Sequence, residues 1–162
     1  PVMLAALTLA AAAVAQSPAV QTPAAQTPAT TTPTAATQVA TGDPVAGERE
    51  FRKCKACHMI RDDHGNDIVK GGKTGPNLYN VVGRKAGTRA DFKYSDALVK
   101  LGEAGEIWTP EDLTHYVTDP NGYVQEKTGD SKLRTKMTFK LTKKQADVVA
   151  FLQQNSPGAP AN

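Results

Sequence analysis

Cys54-Lys55-Ala56-Cys57-His58 is the stretch on which the reading of this chain turns. Two thiols three positions apart project from one side of a helical turn, so both sulfurs can reach one edge of a flat ligand. An imidazole follows at once. The combination matches covalent haem attachment, in which two vinyl groups take the sulfurs and the histidine nitrogen comes up under the iron. A zinc site would need further Cys or His ligands at comparable spacing, and the chain has only 2 cysteines. A thioredoxin-like redox pair would need a preceding β-α-β pattern, which the sequence lacks.

Away from this motif, charge is confined to one part of the chain. Residues 1–41 carry none of the 19 Lys and Arg or 16 Asp and Glu, which divides the chain into a tail and one domain. Residues 4–15 are an Ala and Leu run closing on Ala13-Val14-Ala15. Small residues in that pattern mark a signal-peptide cleavage site, so residues 1–15 are expected to be a leader, trimmed at its start and cut before Gln16. The run is shorter than the span of about 20 apolar residues that crosses a bilayer. Residues 16–41 repeat Pro, Ala, Thr and Gln, as in Gln21-Thr22-Pro23-Ala24 and Gln26-Thr27-Pro28-Ala29. Such a segment is expected to be disordered and extended, and to act as a membrane tether only if the leader is retained. The folded domain is expected over 42–156, with a disordered tail over 157–162.

Within the domain, Asp43-Pro44 reads as N-cap and first residue of a helix running through Gly47 and Phe51 to the cysteines. Beyond His58 periodicity is lost, and Gly65, Gly71, Gly72, Gly75, Gly83 and Gly87 mark a long irregular stretch. Ser95 can cap a short helix with Ala97, Leu98 and Leu101. Thr109-Pro110-Glu111-Asp112 opens another carrying Leu113, Tyr116 and Val117, which Asp119-Pro120 is expected to stop. A second loop then holds Met137. Thr142-Lys143-Lys144-Gln145 has the form of a capping box, starting an amphipathic helix through Val148, Val149, Phe151 and Leu152. No convincing run of alternating strands is present, so the expected class is all-α, with short helices and long loops. Loops of that length normally argue against a compact domain. A buried haem resolves the conflict by serving as the apolar core around which they wrap.

His58 can occupy one face of an iron, and the ligand on the other face separates electron transfer from binding or activating a small molecule. Met3 lies in the leader, and Met59 is fixed beside His58 on the same side of the ring. His64 sits in the polar turn Asp62-Asp63-His64-Gly65-Asn66, and His115 shares a helix with Tyr116. His64 reads more simply as a solvated residue and His115 as a partly exposed helix residue. Met137, in Thr135-Lys136-Met137-Thr138-Phe139, lies in a loop long enough to close over the haem, although a loop Met is ordinarily core filler. Met137 is therefore the expected second metal ligand beside His58.

Phe51 to His58, Gly75-Pro76-Asn77-Leu78, Gly83-Arg84-Lys85, Phe92-Lys93-Tyr94-Ser95-Asp96-Ala97, Trp108 and Thr135-Lys136-Met137 stand in the order found in class I cytochromes c. Over 42–156 the chain resembles that family, and most of all the small soluble cytochromes c of respiratory and photosynthetic bacteria related to the mitochondrial carrier. The resemblance implies the class I cytochrome c fold around one haem c, attached through Cys54 and Cys57. It implies that the Pro76 carbonyl accepts the proton of the His58 nitrogen facing away from iron, which fixes the tautomer. It directs Arg84, Tyr94, Trp108 and Thr135 at the haem propionates, and places Tyr116 near the Met ligand. Read without it, Tyr94 and Trp108 are core residues and Arg84 a surface cation. Leu98 departs from the pattern, standing where mitochondrial relatives carry an Asn of an internal polar network.

The same resemblance implies a mono-haem electron carrier of the periplasm, soluble after leader cleavage, that changes no substrate covalently and is therefore not an enzyme. Its expected donor is a cytochrome bc complex, and its acceptor a cytochrome c oxidase or photosynthetic reaction centre. It is expected to be a monomer with no nucleic-acid partner. A membrane-tethered carrier and a haem protein with an open sixth site are the other readings. A two-haem peroxidase is disfavoured by the single C-x-x-C-H, and a gas-binding bundle by the motif's position far from the C-terminus. Charge is laid unevenly: residues 102–126 hold acids and no Lys or Arg, whereas 127–144 are rich in Lys and Arg, in a chain of formal net charge +3. With Lys53, Lys55 and Lys73, residues Lys132, Arg134, Lys136 and Lys140 are expected to form a positive ring that steers the protein to acidic partners.

Overall fold

The structure is a computed structural model that describes residues 40–159. The expected leader and most of the Pro-rich segment lie outside the described residues. Asp43 caps the first helix, its carboxylate accepting from the Val45 N–H, and Pro44 occupies the first turn where no N–H is needed. Helix α1 spans Pro44–Glu50 and tightens into a 3-10 turn over Phe51–Lys53. Residues 54–58 form one further helical turn, in which the Cys57 and His58 N–H groups both bond the Cys54 carbonyl. Next come two short strands, β1 (Ile60–Arg61) and β2 (Asp67–Val69), and four helices: α2 (Asp96–Glu103), α3 (Pro110–Thr118), α4 (Pro120–Thr128) and α5 (Gln145–Gln154).

Helices α1 and α5 cross at Gly47, where a Cβ would stand 1.9 Å from the Asp147 carbonyl oxygen. Only glycine permits that approach. The Phe51 and Phe151 rings close the crossing at 5.5 Å, and the Asp43 N–H donates to Asp147 at 2.9 Å. Phe51, Ile60, Leu101, Val124, Val148 and Val149 are fully buried. Each such side chain contributes roughly 1.5–3 kcal/mol of burial. Helix α5 therefore forms the floor of the core, with α1 and α3 packed against it.

The all-α expectation holds apart from one hairpin. Strands β1 and β2 are antiparallel, pairing Ile60 with Val69 and Arg61 with Asp67 across a bulge, and an Arg61–Asp67 ion pair of 2.6 Å spans them. Asp62 ties the connecting turn by accepting from the N–H groups of His64 and Asn66. Strands this short carry too little alternation to be recognised in sequence. Pro120 ends α3 as expected but does not begin a loop: it is the first residue of α4, capped by Asp119, which accepts from the Gly122 N–H. Proline lacks the donor that a first helical residue would leave unpaired, so one residue serves as stop and start. The expected capping box is absent. Helix α5 starts after Lys144, which takes the left-handed conformation (φ 61°) and makes no side-chain cap. At the C-terminal end a turn over 157–159 continues the folded part beyond 156, the Gly158 N–H donating to Asn80 at 2.9 Å.

Candidate haem site

The segment 70–78 folds back over the Cys-Cys-His turn. The Gly75 N–H donates to the Cys57 carbonyl at 2.8 Å, and Gly72 to that of Lys55 at 2.9 Å. A Cβ on Gly75 would come within 2.4 Å of the His58 ring, so the backbone itself lies against the imidazole. The next residue completes the clamp, with His58 Nδ1 and the Pro76 carbonyl oxygen 2.8 Å apart. A carbonyl only accepts, so the proton sits on Nδ1 and Nε2 keeps its lone pair. Burial pushes the His58 pKa below its ordinary value, with the Pro76 bond opposing, and favours this neutral form. Burial, then the charge of Glu50, pushes the Cys54 thiol up to about 11, whereas Cys57 is exposed.

His58 opens onto a cavity of about 300 Å³ lined by Cys54, Cys57, Pro76, Arg84, Tyr94, Trp108, Tyr116, Thr135 and Met137. Every site residue named from the sequence thus lines one space, although the chain supplies them from separate segments. The walls are apolar. Leu78, Val81 and Leu98 come from the loops and α2, Leu113 and Val117 from one face of α3, and Val148 and Leu152 from one face of α5. Sequence reading left these wall residues unassigned to the site. The i, i+4 spacing of the last two pairs was the signal that could have found them. Within the cavity wall Trp108 packs against Tyr116 at 4.9 Å between ring centroids.

The Met137 side is built differently. Thr135 is buried, and its hydroxyl accepts from the Met137 N–H at 3.1 Å and pairs with the Tyr116 hydroxyl at 3.0 Å. Burial pushes the Tyr116 phenol up to about 12, so it stays a neutral hydrogen-bonding group. The alternative ligands lie elsewhere. Met59 lines a separate polar groove with Arg61 and Asn77, while His64 and His115 are exposed. Of the expected positive ring, Lys53 and Lys136 border the cavity, but Lys73 lines the separate groove and Lys140 pairs with Asp119 at 2.7 Å.

No protein-family model matches the chain. It is 61% identical over 122 residues to cytochrome c-550 of Paracoccus pantotrophus, covering 74% of this chain and 91% of that protein. It is 55% identical over 111 residues to cytochrome c2 of Rhodobacter capsulatus, covering 68% of this chain and 81% of that protein. The solved structure of ferric cytochrome c-550 from Paracoccus versutus matches with a TM-score of 0.70 at 59% identity, over 72% of this chain and 99% of that one. The chain belongs to the class I c-type cytochromes. As a class I cytochrome c it has that family's all-α fold, carries one covalently bound haem c and serves electron transport. Its cavity suits the group on physical grounds as well. The Arg84 guanidinium is largely buried, donating only to the carbonyls of Tyr79 (3.0 Å) and Asn77 (3.4 Å), and burial lowers its pKa. Among the described residues no carboxylate pairs with it. A buried cation without a counterion is costly, and an anionic haem propionate in this cytochrome c would supply one.

Proposed function

We propose that this cytochrome c is a single-haem, six-coordinate electron carrier of the periplasm that takes electrons from a cytochrome bc complex. It passes them to a cytochrome c oxidase or a photosynthetic reaction centre and changes no substrate covalently. One observation carries this reading: His58 and Met137 border the same cavity, and no other His or Met among the described residues does. When bound, the haem supplies a reversible one-electron iron couple. His58 offers Nε2 to the iron while Pro76 holds the Nδ1 proton and orients the ring. The Met137 thioether, which borders the same cavity, would be the second iron ligand, and a His/Met pair would raise the potential relative to a ligand set without sulfur. Cys54 and Cys57 hold the haem edge through thioether bonds. Arg84 balances propionate charge, with Tyr94, Trp108 and Thr135 as further donors. Tyr116 steadies Thr135 and, through it, the ligand loop. Apolar walls around a bound haem would give it a low-dielectric surrounding, which favours the less charged reduced centre.

Residues 1–15 are read as the cleaved leader that delivers the chain to the periplasm, where it works as a monomer. Among the described residues no helix is long and apolar enough to cross a membrane. Denaturing electrophoresis with a haem stain should show one haem per chain, and intact mass should begin at Gln16. Potentiometric titration should give one reversible one-electron midpoint that falls in Met137→Ala. A mass retaining residues 1–15 with the protein in the membrane fraction would support the tethered carrier instead.

A further inference from the structure

We infer that Asn121 is a positioning residue that holds the Met137 loop closed over the haem cavity. The inference rests on the reading of Met137 as the second iron ligand. Residues 129–137 contain no helix or strand that could supply their backbone partners. The Thr135 N–H is instead bonded by the Asn121 side-chain oxygen at 2.9 Å. Thr135 then uses its hydroxyl to accept from the Met137 N–H at 3.1 Å. One chain of bonds therefore runs from α4 through Thr135 to the backbone of the proposed ligand. One helical turn on, Gln125 donates to the Leu133 carbonyl at 3.1 Å, so the same face of α4 grips the loop twice.

Thr135 is only 8% exposed, so its N–H has little access to water if the Asn121 oxygen is removed. A buried donor left unpaired costs its desolvation, and the loop can relieve that cost by opening. Opening carries Met137 away from the cavity without disturbing α1, α5 or the His58 clamp. Asn121 does not line the cavity. Its one side-chain bond to the cavity lining is the bond to the Thr135 N–H.

The test uses the haem-loaded ferric protein and excess imidazole, which displaces a thioether ligand and bleaches the weak far-red band that sulfur ligation gives. At saturating imidazole the first-order limit reports how often the loop opens. Asn121→Leu should raise that limit about tenfold, the order set by one lost bond to a buried backbone donor. Asn121→Asp, which keeps an acceptor in place, should stay near the parent rate, and hydrogen exchange at the Thr135 N–H should follow the same order. If the Leu variant does not accumulate, Asn121→Ala replaces it with the same expectation. A parental limit in the Leu or Ala variant, or an Asp variant as fast as Leu, overturns the role of Asn121 while Met137 ligation stands. A parent protein with no far-red band overturns Met137 ligation itself, and the role of Asn121 with it.

Discussion

On the His58 side of the cavity, everything that holds the imidazole lies between residues 54 and 76. The Cys-Cys-His turn is hydrogen-bonded within itself, Gly75 lies on the ring, and Pro76 takes its proton. On the Met137 side, the loop over 129–144 is held by groups that precede it in other elements. Tyr116, Asn121 and Gln125 reach it from α3 and α4, and its Leu141 N–H returns to the Val117 carbonyl at 2.8 Å. One wall is closed locally and sterically, whereas the other is fastened by separate hydrogen bonds to a helix pair. The difference implies unequal local stability: the loop can open as a unit while the His58 wall persists.

The largest expected effect comes from forcing the local wall. Gly75→Ala should destabilise the haem-loaded protein by about 1–3 kcal/mol in denaturant unfolding, because the new methyl meets the imidazole. The same change at Gly129, at the start of the distal loop, meets nothing within 4 Å and suffers only from its φ of +68°. Gly129→Ala should therefore cost about 1 kcal/mol, the strain of a left-handed alanine with no clash added to it. Equal costs at the two positions would break the comparison.

A smaller effect is expected where the end of α4 returns to the start of α3. Lys127 pairs with Asp112 at 2.8 Å and with Glu106 at 3.5 Å, and lies 5.3 Å from the centre of the Tyr123 ring. Burial pushes the Asp112 carboxyl up, but its bonds from Lys127 and Thr109 outweigh this and leave it below the ordinary value. A depressed carboxylate stabilises the fold above its unfolded pKa, and that stability is lost as pH falls through the folded one. Lys127→Met should thus lower stability near neutrality by no more than about 1 kcal/mol, since the group is partly solvated. The difference from the parent should vanish in acid. Thermal unfolding across that pH range measures both, and a constant difference would remove the electrostatic explanation.

The smallest effects should appear in docking. Lys136 is exposed at the cavity mouth, whereas Lys140 is engaged by Asp119. Lys136→Glu should slow association with an acidic oxidase or reaction centre a few-fold at low salt and leave the potential nearly unchanged. The effect should fade as the Debye length shortens to about 8 Å near physiological ionic strength. Lys140→Glu should do less. Rates indifferent to salt and to both reversals would place the docking surface elsewhere.

The same division explains what could be read from sequence. The haem-attachment turn is legible because Cys54, Cys57 and His58 are contiguous and their spacing matches covalent attachment, and α1 is legible from Asp43-Pro44, whereas the Pro76 clamp is implied only by the family resemblance and the Gly75 contact leaves no sequence signal. Met137 was reached by elimination and by the family pattern, yet what holds it was not. Pro120 reads as a stop, and nothing in the sequence of α4 alone says that Asn121 and Gln125 face a loop some ten residues further on. The hairpin at Ile60 and Val69 leaves no mark in the sequence because its pairing is too short to show a period. Lys144 took the place of a capping box because a left-handed residue ended the loop where a Thr side chain was expected to.

The His58 and Met137 pair across one cavity is the central claim, and the ferric absorption spectrum of the haem-loaded protein tests it most directly. The parent should show the weak far-red band of sulfur ligation. Met137→Ala should remain folded, lose that band, fall in potential and bind carbon monoxide when reduced. A Met137→Ala protein that kept both the band and the parent potential would show that another group ligates the iron.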